Sequence, residues 1–206
     1  MLPLEHINIT APLVAEWFLR IQEDSELDFK LVIDKLLTAF RDEDIRYALI
    51  GGFALGALGI TRATVDIDFL VHKDDLDKVH SIMTGLGYDR AFHTDNVSQY
   101  VSADNLFGEV DFLHAFREIS VGMLQRAENK KVFGETISIK VLRIEDLIGL
   151  KVQAIANDET RKPIDLADIR ALIALCKTEI DWPLLEKYFA MFGFKKLLKD
   201  LMKGIE

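Results

Sequence analysis

Two acidic residues interrupt the apolar segment 65–71, which reads VDIDFLV. The alternation predicts a β-strand, in which Asp66 and Asp68 point to the same face because successive side chains alternate across a strand. Two like charges about 7 Å apart repel each other and weaken the strand. A divalent cation compensates such a pair, and Mg²⁺ or Mn²⁺ suits oxygen ligands. The alternative is a polar strand face exposed to water, because an Asp-x-Asp pattern is short.

A second acidic pair, Glu109 and Asp111, lies in the segment 109–113 (EVDFL), which has the same alternation. If this strand neighbours the first, three or four carboxylates converge on one face of a sheet. Two-metal phosphoryl transfer uses such a cluster, in which one ion aligns the attacking oxygen and the other holds the triphosphate. Asp111 is then either a metal ligand or the general base for an incoming hydroxyl.

A pair of glycines, Gly51 and Gly52, follows a strand candidate that ends at Ile50 and precedes a helix expected over 53–58. Glycine lets the backbone approach a phosphate closely, and the free N–H groups at a helix start bind anions. This order predicts a phosphate cradle beside the paired aspartates. The alternative is an ordinary turn, for which a Gly-Gly pair is equally suited.

Hydrophobic periodicity predicts an α+β (mixed α/β) fold, with a mixed β-sheet flanked by helices. We divide the chain into an N-terminal helical segment (1–44), a sheet-containing core (45–143) and a C-terminal helical region packed on the core (144–206). The predicted helices are 29–40, 53–58, 73–86, 144–157, 164–176, 182–191 and 194–203, and the predicted strands are 47–50, 65–71, 88–92, 99–102, 109–113, 131–133 and 136–142.

The composition narrows the class of protein. Half of the 206 residues are hydrophobic and four are proline, which argues against disorder. No apolar run reaches the roughly 18 residues of a membrane helix, and the N-terminus lacks a signal-peptide pattern. We therefore expect a cytoplasmic protein, which the lone Cys176 also fits. A net charge of −9 argues against extended DNA binding but not against a local basic groove.

Other polar residues near these motifs have both functional and structural interpretations. Arg62 would bind phosphate or ribose, and Thr64, on the aspartate face, would orient Asp66; otherwise they are an exposed loop arginine and a plain strand threonine. Lys151 lies on an apolar helix, where it either neutralises phosphate or extends its amine to solvent. Asp168 is spaced to pair with Lys151.

The spacing of these motifs resembles a known superfamily. A Gly-Gly pair at 51–52, thirteen intervening residues and Asp-Ile-Asp at 66–68 resemble the signature of DNA polymerase β-like nucleotidyltransferases. Together with the segment 62–65 (RATV), these motifs look like the bacterial branch of AbiEii-type toxins and related uncharacterised nucleotidyltransferases. Asp111 matches the third carboxylate of the superfamily, and a lysine followed by the segment 161–168 (RKPIDLAD) resembles the C-terminal motif of the AbiEii-like branch.

The resemblance implies a Mg²⁺- or Mn²⁺-dependent enzyme with a nucleotidyltransferase core at 45–143. It would transfer a nucleoside monophosphate from an NTP such as ATP to a hydroxyl and release pyrophosphate. The implied metal ligands are Asp66, Asp68 and Asp111; the implied nucleotide-binding residues are Gly51, Gly52, Arg62, Thr64 and Lys151; and Lys151 and Asp168 complete the catalytic set.

The acceptor expected from the resemblance is a tRNA end or a protein in a toxin–antitoxin setting, with an antitoxin as partner. Three alternatives stay open: a small-molecule, antibiotic-type nucleotidyltransferase; a nucleotide-binding regulatory or partner subunit without turnover; and an interaction protein with surface aspartates. The last of these predicts no Mg²⁺-dependent stabilisation by NTP.

Overall fold

A mixed β-sheet organises the part of the chain that the computed structural model describes, which comprises residues 29–61, 64, 66–102, 108–176 and 180–203. The elements in chain order are α1 (29–42), β1 (Tyr47–Ile50), α2 (Gly51–Ala57), β2 (Asp66–His72), α3 (Leu76–Gly85), β3 (Tyr88–His93), β4 (Val97–Ser102), β5 (Glu109–Ala115), α4 (Glu118–Arg126), β6 (Glu128–Val132), β7 (Ile137–Val141), α5 (Ile144–Asn157), α6 (Lys162–Leu175), α7 (Trp182–Met191) and α8 (Lys195–Lys203).

The seven strands have the order β3-β4-β5-β2-β1-β7-β6. The pairs β2–β5 and β1–β7 are parallel, and the other neighbours are antiparallel. The two acidic segments therefore form adjacent strands at the centre of the sheet. The chain forms α3, β3 and β4 between β2 and β5, so the two paired central strands are far apart in the sequence.

The two faces of β2 have different surroundings because its side chains alternate. Ile67, Phe69 and Val71 are fully buried on one face. There the Phe69 ring stacks on Phe112 of β5 at 5.8 Å and meets Phe40 of α1 edge-on at 5.5 Å. Burial of these apolar side chains fixes the strand register, because a one-residue slip would bring the aspartates into this core.

A buried polar cluster joins α5 to its neighbouring helices. Asp146 of α5 is fully buried and accepts hydrogen bonds from Arg126 Nη2 of α4 at 2.8 Å and from Tyr188 Oη of α7 at 2.5 Å. A side chain at position 149 would collide with the Tyr188 ring, since a Cβ there would lie 2.8 Å from Cδ2, so Gly149 permits this close packing. The cluster holds α5 against two other elements.

The predicted fold class is confirmed, and most predicted elements are present within one or two residues of their expected bounds. Two differ. Helix α2 begins at Gly51 rather than at residue 53, because Gly51 itself adopts the left-handed φ of +67° at the strand–helix junction. Helix α4 was not predicted; it is nine residues long and contains Gly122 and β-branched residues, so its helical signal is weak. The division at 44 and 143 stays a prediction.

In the described part of the chain, none of the helices combines the length and the apolar character needed to cross a membrane.

Candidate active site

Three carboxylates meet on the sheet face opposite the aromatic core. Asp66 and Asp68 lie on β2 and Asp111 on β5, and Asp68 pairs with Asp111 in the parallel register. One oxygen from each of the three lies within 4.8 Å of the others. Glu109 pairs with Asp66 but is exposed and does not belong to this group. Of the three or four carboxylates expected to converge, three therefore do.

Neutral side chains hold two of these carboxylates. Thr64 Oγ1 donates to Asp66 Oδ1 at 2.7 Å, which is the contact predicted for Thr64. Gln99 Nε2 on β4 donates to Asp111 Oδ2 at 3.0 Å. No local sequence pattern marks Gln99 as part of the site, because its proximity to Asp111 depends on the register of β4 against β5. The other oxygen, Asp111 Oδ1, is buried and has no hydrogen-bond partner among the described residues.

Burial and the charges of neighbouring carboxylates raise the pKa values of Asp68 and Asp111. Desolvation is the largest cause for Asp68, whose pKa rises from 3.8 to about 6, and the charges of Asp66 and Asp111 add to the rise. Desolvation also raises the pKa of Asp111, against the hydrogen bond from Gln99. Clustered carboxylate oxygens, one of them buried without a partner, fit a divalent cation with hard-ligand preference. Asp66, Asp68 and Asp111 could hold such an ion.

The glycine pair lies directly against this cluster. A Cβ at position 51 would lie 1.8 Å from Asp68 Oδ2, and one at position 52 would lie 2.7 Å from Thr64 Oγ1. Only glycine lets the β1–α2 junction approach the aspartates this closely, and at position 51 the positive φ requires glycine as well. The predicted neighbourhood of glycines and carboxylates is therefore present, whereas phosphate binding by the two glycines stays a prediction.

A cleft of about 280 Å³ opens beside the carboxylates, between the sheet and α5. Asp68 and Asp111 line its sheet side. Lys151 of α5 and Arg161 line the opposite side. Their positive charges offset part of the rise in the pKa of Asp68. Its aliphatic walls come from both sides: Ile50, Val97, Leu113, Leu147, Leu150 and Ala154. The cleft thus joins a carboxylate cluster to two cations.

Both cations are already bound to buried carboxylates of α6. Lys151 Nζ lies 2.5 Å from Asp168 Oδ2 and 3.2 Å from Asp165 Oδ1, and Arg161 Nε donates to Asp165 Oδ2 at 3.1 Å. The predicted pairing of Lys151 with Asp168 is present, and Asp165 bridges the two cations. Lys151 does not extend to solvent, because its side chain is 12% exposed. Arg62 lies outside the described residues.

A protein-family model described as uncharacterised nucleotidyltransferase matches residues 19–203. The chain belongs to this nucleotidyltransferase family. The match covers nearly all of the sequence and both halves of the site, including α5 and α6. A search of curated protein sequences returns no match.

Solved structures share the fold of this nucleotidyltransferase at low sequence identity. ANT(2″)-Ia in complex with adenylyl-2″-tobramycin matches with a TM-score of 0.60 and 17% identity over 79% of this chain and 95% of that one. The lincomycin-bound lincosamide antibiotic adenylyltransferase LnuA matches with a TM-score of 0.51 and 14% identity, over 73% of this chain and 97% of that one. An antigenic nucleotidyltransferase-like protein from Paracoccidioides brasiliensis matches with a TM-score of 0.53 and 18% identity, over 85% of this chain and 92% of that one. They confirm the fold and leave the AbiEii-type branch unconfirmed.

Two histidines lie at the C-terminal ends of the acidic strands of this nucleotidyltransferase, His72 in β2 and His114 in β5, and the structure gives both a local role. His114 is buried, with Nε2 3.0 Å from Ser98 Oγ and Nδ1 3.1 Å from the Asp95 carbonyl oxygen. His72 Nδ1 accepts from the backbone N–H of Asp74 at 3.3 Å and caps the turn before α3. Neither belongs to the group of possible metal ligands.

Proposed function

We propose that this nucleotidyltransferase moves a nucleoside monophosphate from an NTP, bound with Mg²⁺ or Mn²⁺, to a hydroxyl acceptor in the cytoplasm and releases pyrophosphate. The observation that carries the proposal is the convergence of Asp66, Asp68 and Asp111 beside a cleft lined by two cations. Three carboxylates in close contact are costly without a cation. This cost argues against a polar surface with no ligand.

Each proposed step uses a named group of the site. The acceptor oxygen attacks the α-phosphorus, the bond from that phosphorus to the β-phosphate oxygen breaks, and pyrophosphate leaves with the electron pair. Asp111, as the general base, accepts the hydroxyl proton. Asp66, Asp68 and Asp111 would hold the cation. When bound, the cation neutralises phosphate charge and makes the hydroxyl easier to deprotonate.

The triphosphate is proposed to lie between the glycine pair and α5. Backbone N–H groups at Gly51 and Gly52 bind phosphate oxygens, because no hydroxyl side chain is present at either position. Lys151 neutralises the leaving pyrophosphate and Asp168 positions the lysine, from which it lies 2.5 Å. Arg62 is proposed as a further phosphate or ribose contact. These roles follow from placement and charge.

The acceptor that we favour is a tRNA end or a protein hydroxyl in a toxin–antitoxin setting, with an antitoxin as partner. The support is the resemblance of the motifs to AbiEii-type toxins. A second candidate is a small-molecule hydroxyl, because two proteins of the same fold are ANT(2″)-Ia bound to adenylyl-2″-tobramycin and a lincosamide antibiotic adenylyltransferase bound to lincomycin. A nucleotide-binding subunit without turnover is less well supported, because a degenerate site need not retain clustered charges.

The first experiment measures thermal unfolding with each NTP, with and without Mg²⁺. It compares the wild type with the double variant Asp66→Asn/Asp68→Asn. The matched control is Asp77→Asn/Asp89→Asn, which removes the same charge from exposed positions. A ligand at 100 times its Kd adds about 2.7 kcal/mol of stability. We expect a Mg²⁺-dependent shift that the site variant loses and the control keeps.

The second experiment identifies the reaction. NTP labelled at the α-phosphate should transfer its label to the acceptor, whereas the γ-label should appear in pyrophosphate. Total tRNA, cellular protein, an aminoglycoside and a lincosamide are tested as acceptors in parallel. Transfer of the γ-label instead would show phosphotransfer and refute nucleotidyl transfer. Absence of an NTP-dependent shift in the first experiment would support the interaction-protein alternative.

A further inference from the structure

Gln99 stands beside the carboxylate cluster without belonging to it. In the antiparallel register of β4 and β5, Gln99 pairs with Asp111, which in turn pairs with Asp68 across β5 and β2. Gln99 Nε2 donates to Asp111 Oδ2 at 3.0 Å and leaves the buried Oδ1 of the same carboxylate without a partner among the described residues. One oxygen is fixed and the other is free for a ligand.

The arrangement of Asp111 needs a restraint. The charges of Asp66 and Asp68 repel the Asp111 carboxylate, and burial separates it from the water that would otherwise solvate it. A free aspartate side chain would relieve this repulsion by rotating away from the cluster. The hydrogen bond from Gln99 opposes that rotation, because it holds Asp111 Oδ2 against the neighbouring strand β4.

The type of donor matters as much as its position. An arginine or a lysine would also hold the carboxylate, but its positive charge would compete with a cation for Asp111. A glutamine amide donates a hydrogen bond and adds no charge, so all three carboxylates keep their negative charge for the ion. Thr64 does the same for Asp66, whereas the cation Lys151 is paired with carboxylates of α6.

The strand that carries Gln99 is itself anchored on its opposite face. The neighbours of Gln99, Ser98 and Tyr100, are buried there. Ser98 Oγ lies 3.0 Å from His114 Nε2 of β5, and Tyr100 Oη lies 3.2 Å from His80 Nδ1 of α3. These contacts fix the register of β4 and with it the place of Gln99. A hydrogen bond on an anchored strand restrains its partner more than one on a mobile loop.

We propose that Gln99 is a positioning residue that holds Asp111 in its metal-binding orientation by a neutral hydrogen bond. The proposal rests on the proposed function, in which Asp66, Asp68 and Asp111 bind the divalent cation. It gives the buried Ser98–His114 contact a purpose as well, since that contact fixes the strand on which Gln99 lies.

The test measures Mn²⁺ binding by electron paramagnetic resonance, with and without a non-hydrolysable ATP analogue. Gln99→Leu removes the donor and keeps the bulk, and we expect the Kd for Mn²⁺ to rise roughly 10- to 100-fold, as for loss of other groups that orient metal ligands. Gln99→Lys keeps a donor but adds a charge, and it should weaken binding at least as much. Val101→Ala, on the same face of β4, is the control and should leave the Kd unchanged.

A double-mutant cycle separates positioning from general stability. In an Asp111→Asn background, Gln99→Leu should have no further effect on Mn²⁺ affinity, because both changes remove the same ligand orientation. In the transferase assay, excess Mn²⁺ should restore the kcat of Gln99→Leu, whereas a structural defect would not respond to metal.

The outcomes distinguish the two proposals. If wild type and Gln99→Leu bind Mn²⁺ equally, or if the effects of Gln99→Leu and Asp111→Asn add, the positioning role is wrong and the proposed function stands. If the wild type binds no Mn²⁺ with or without nucleotide, the metal site of the proposed function fails and this proposal fails with it.

Discussion

Replacing Asp68 by asparagine should stabilise the protein in the absence of metal while it removes a proposed metal ligand. In the folded state burial and two neighbouring carboxylates raise the pKa of Asp68 from 3.8 to about 6. This difference of about two pH units, at about 1.36 kcal/mol each, makes ionised Asp68 cost about 3 kcal/mol of folding stability. Asparagine has a similar shape and no charge, so it avoids the cost.

The sign gives the pH window. A raised pKa means that the folded state holds the proton more tightly, so the penalty on the wild type is small below pH 4, grows between pH 4 and pH 6 and is nearly complete above pH 6. The stability gained by Asp68→Asn should therefore be only about 0.5 kcal/mol at pH 4 and about 3 kcal/mol at pH 7.5. In a domain of this size the latter corresponds to roughly 6–12 °C in Tm.

Urea unfolding in EDTA at pH 4, 5.5 and 7.5 measures this difference directly. The exposed Asp89→Asn is the control and should show no comparable pH dependence. With Mg²⁺ and NTP at pH 7.5 only the wild type gains stability from binding, so the difference should nearly vanish at 100 times the Kd (about 2.7 kcal/mol) and reverse at 1,000 times the Kd (about 4.1 kcal/mol). If Asp68→Asn and the wild type keep the same difference at all three pH values, Asp68 is not destabilised in the folded state and the reasoning is refuted.

Two further predictions concern the packing around the site. Gly51→Ala should abolish the Mg²⁺–NTP shift in unfolding temperature and destabilise the protein more than Gly59→Ala. Both glycines have positive φ, which costs alanine about 1–2 kcal/mol. Only at position 51 would the added Cβ also collide with Asp68. Denaturant unfolding and NTP titration compare the two, and equal behaviour would show that the close approach is unimportant. Tyr188→Phe should lower stability by about 1–3 kcal/mol in urea, because it removes a hydrogen bond from the buried Asp146 carboxylate; an unchanged midpoint would contradict that role.

The parts of the fold that were predictable carry local patterns. The alternation around Asp66 and Asp68 and the apolar stripe of α1 each lie within one element, so periodicity was enough to find them. The pairing of Lys151 with Asp168 was also predictable, because the resemblance had already placed both residues in one motif. The start of α2 was missed because glycine is an uncommon helix residue, and here Gly51 is required by Asp68 rather than by the helix.

The parts of the site that were not predictable depend on register between distant segments. Gln99 lies twelve residues before Asp111 and is chemically ordinary in a strand. Its place beside the carboxylate follows from the β4–β5 pairing, which buried contacts on the opposite face determine. Asp165 likewise bridges Lys151 and Arg161 only because α5 and α6 pack together. A single sequence contains these residues but not the pairing that brings them together.

The charges of the site imply an order of dependence between metal and nucleotide. Lys151 and Arg161 attract phosphate, but their pairing with Asp165 and Asp168 offsets part of that charge, so without a metal ion they do not outweigh the nearby carboxylate cluster. Asp68 and Asp111 meanwhile present negative charge to the same cleft, with Asp66 beside them. An NTP without metal therefore meets net repulsion, and the cation must enter with it or before it. The affinities for metal and NTP should be coupled, and each ligand should strengthen binding of the other by the same factor.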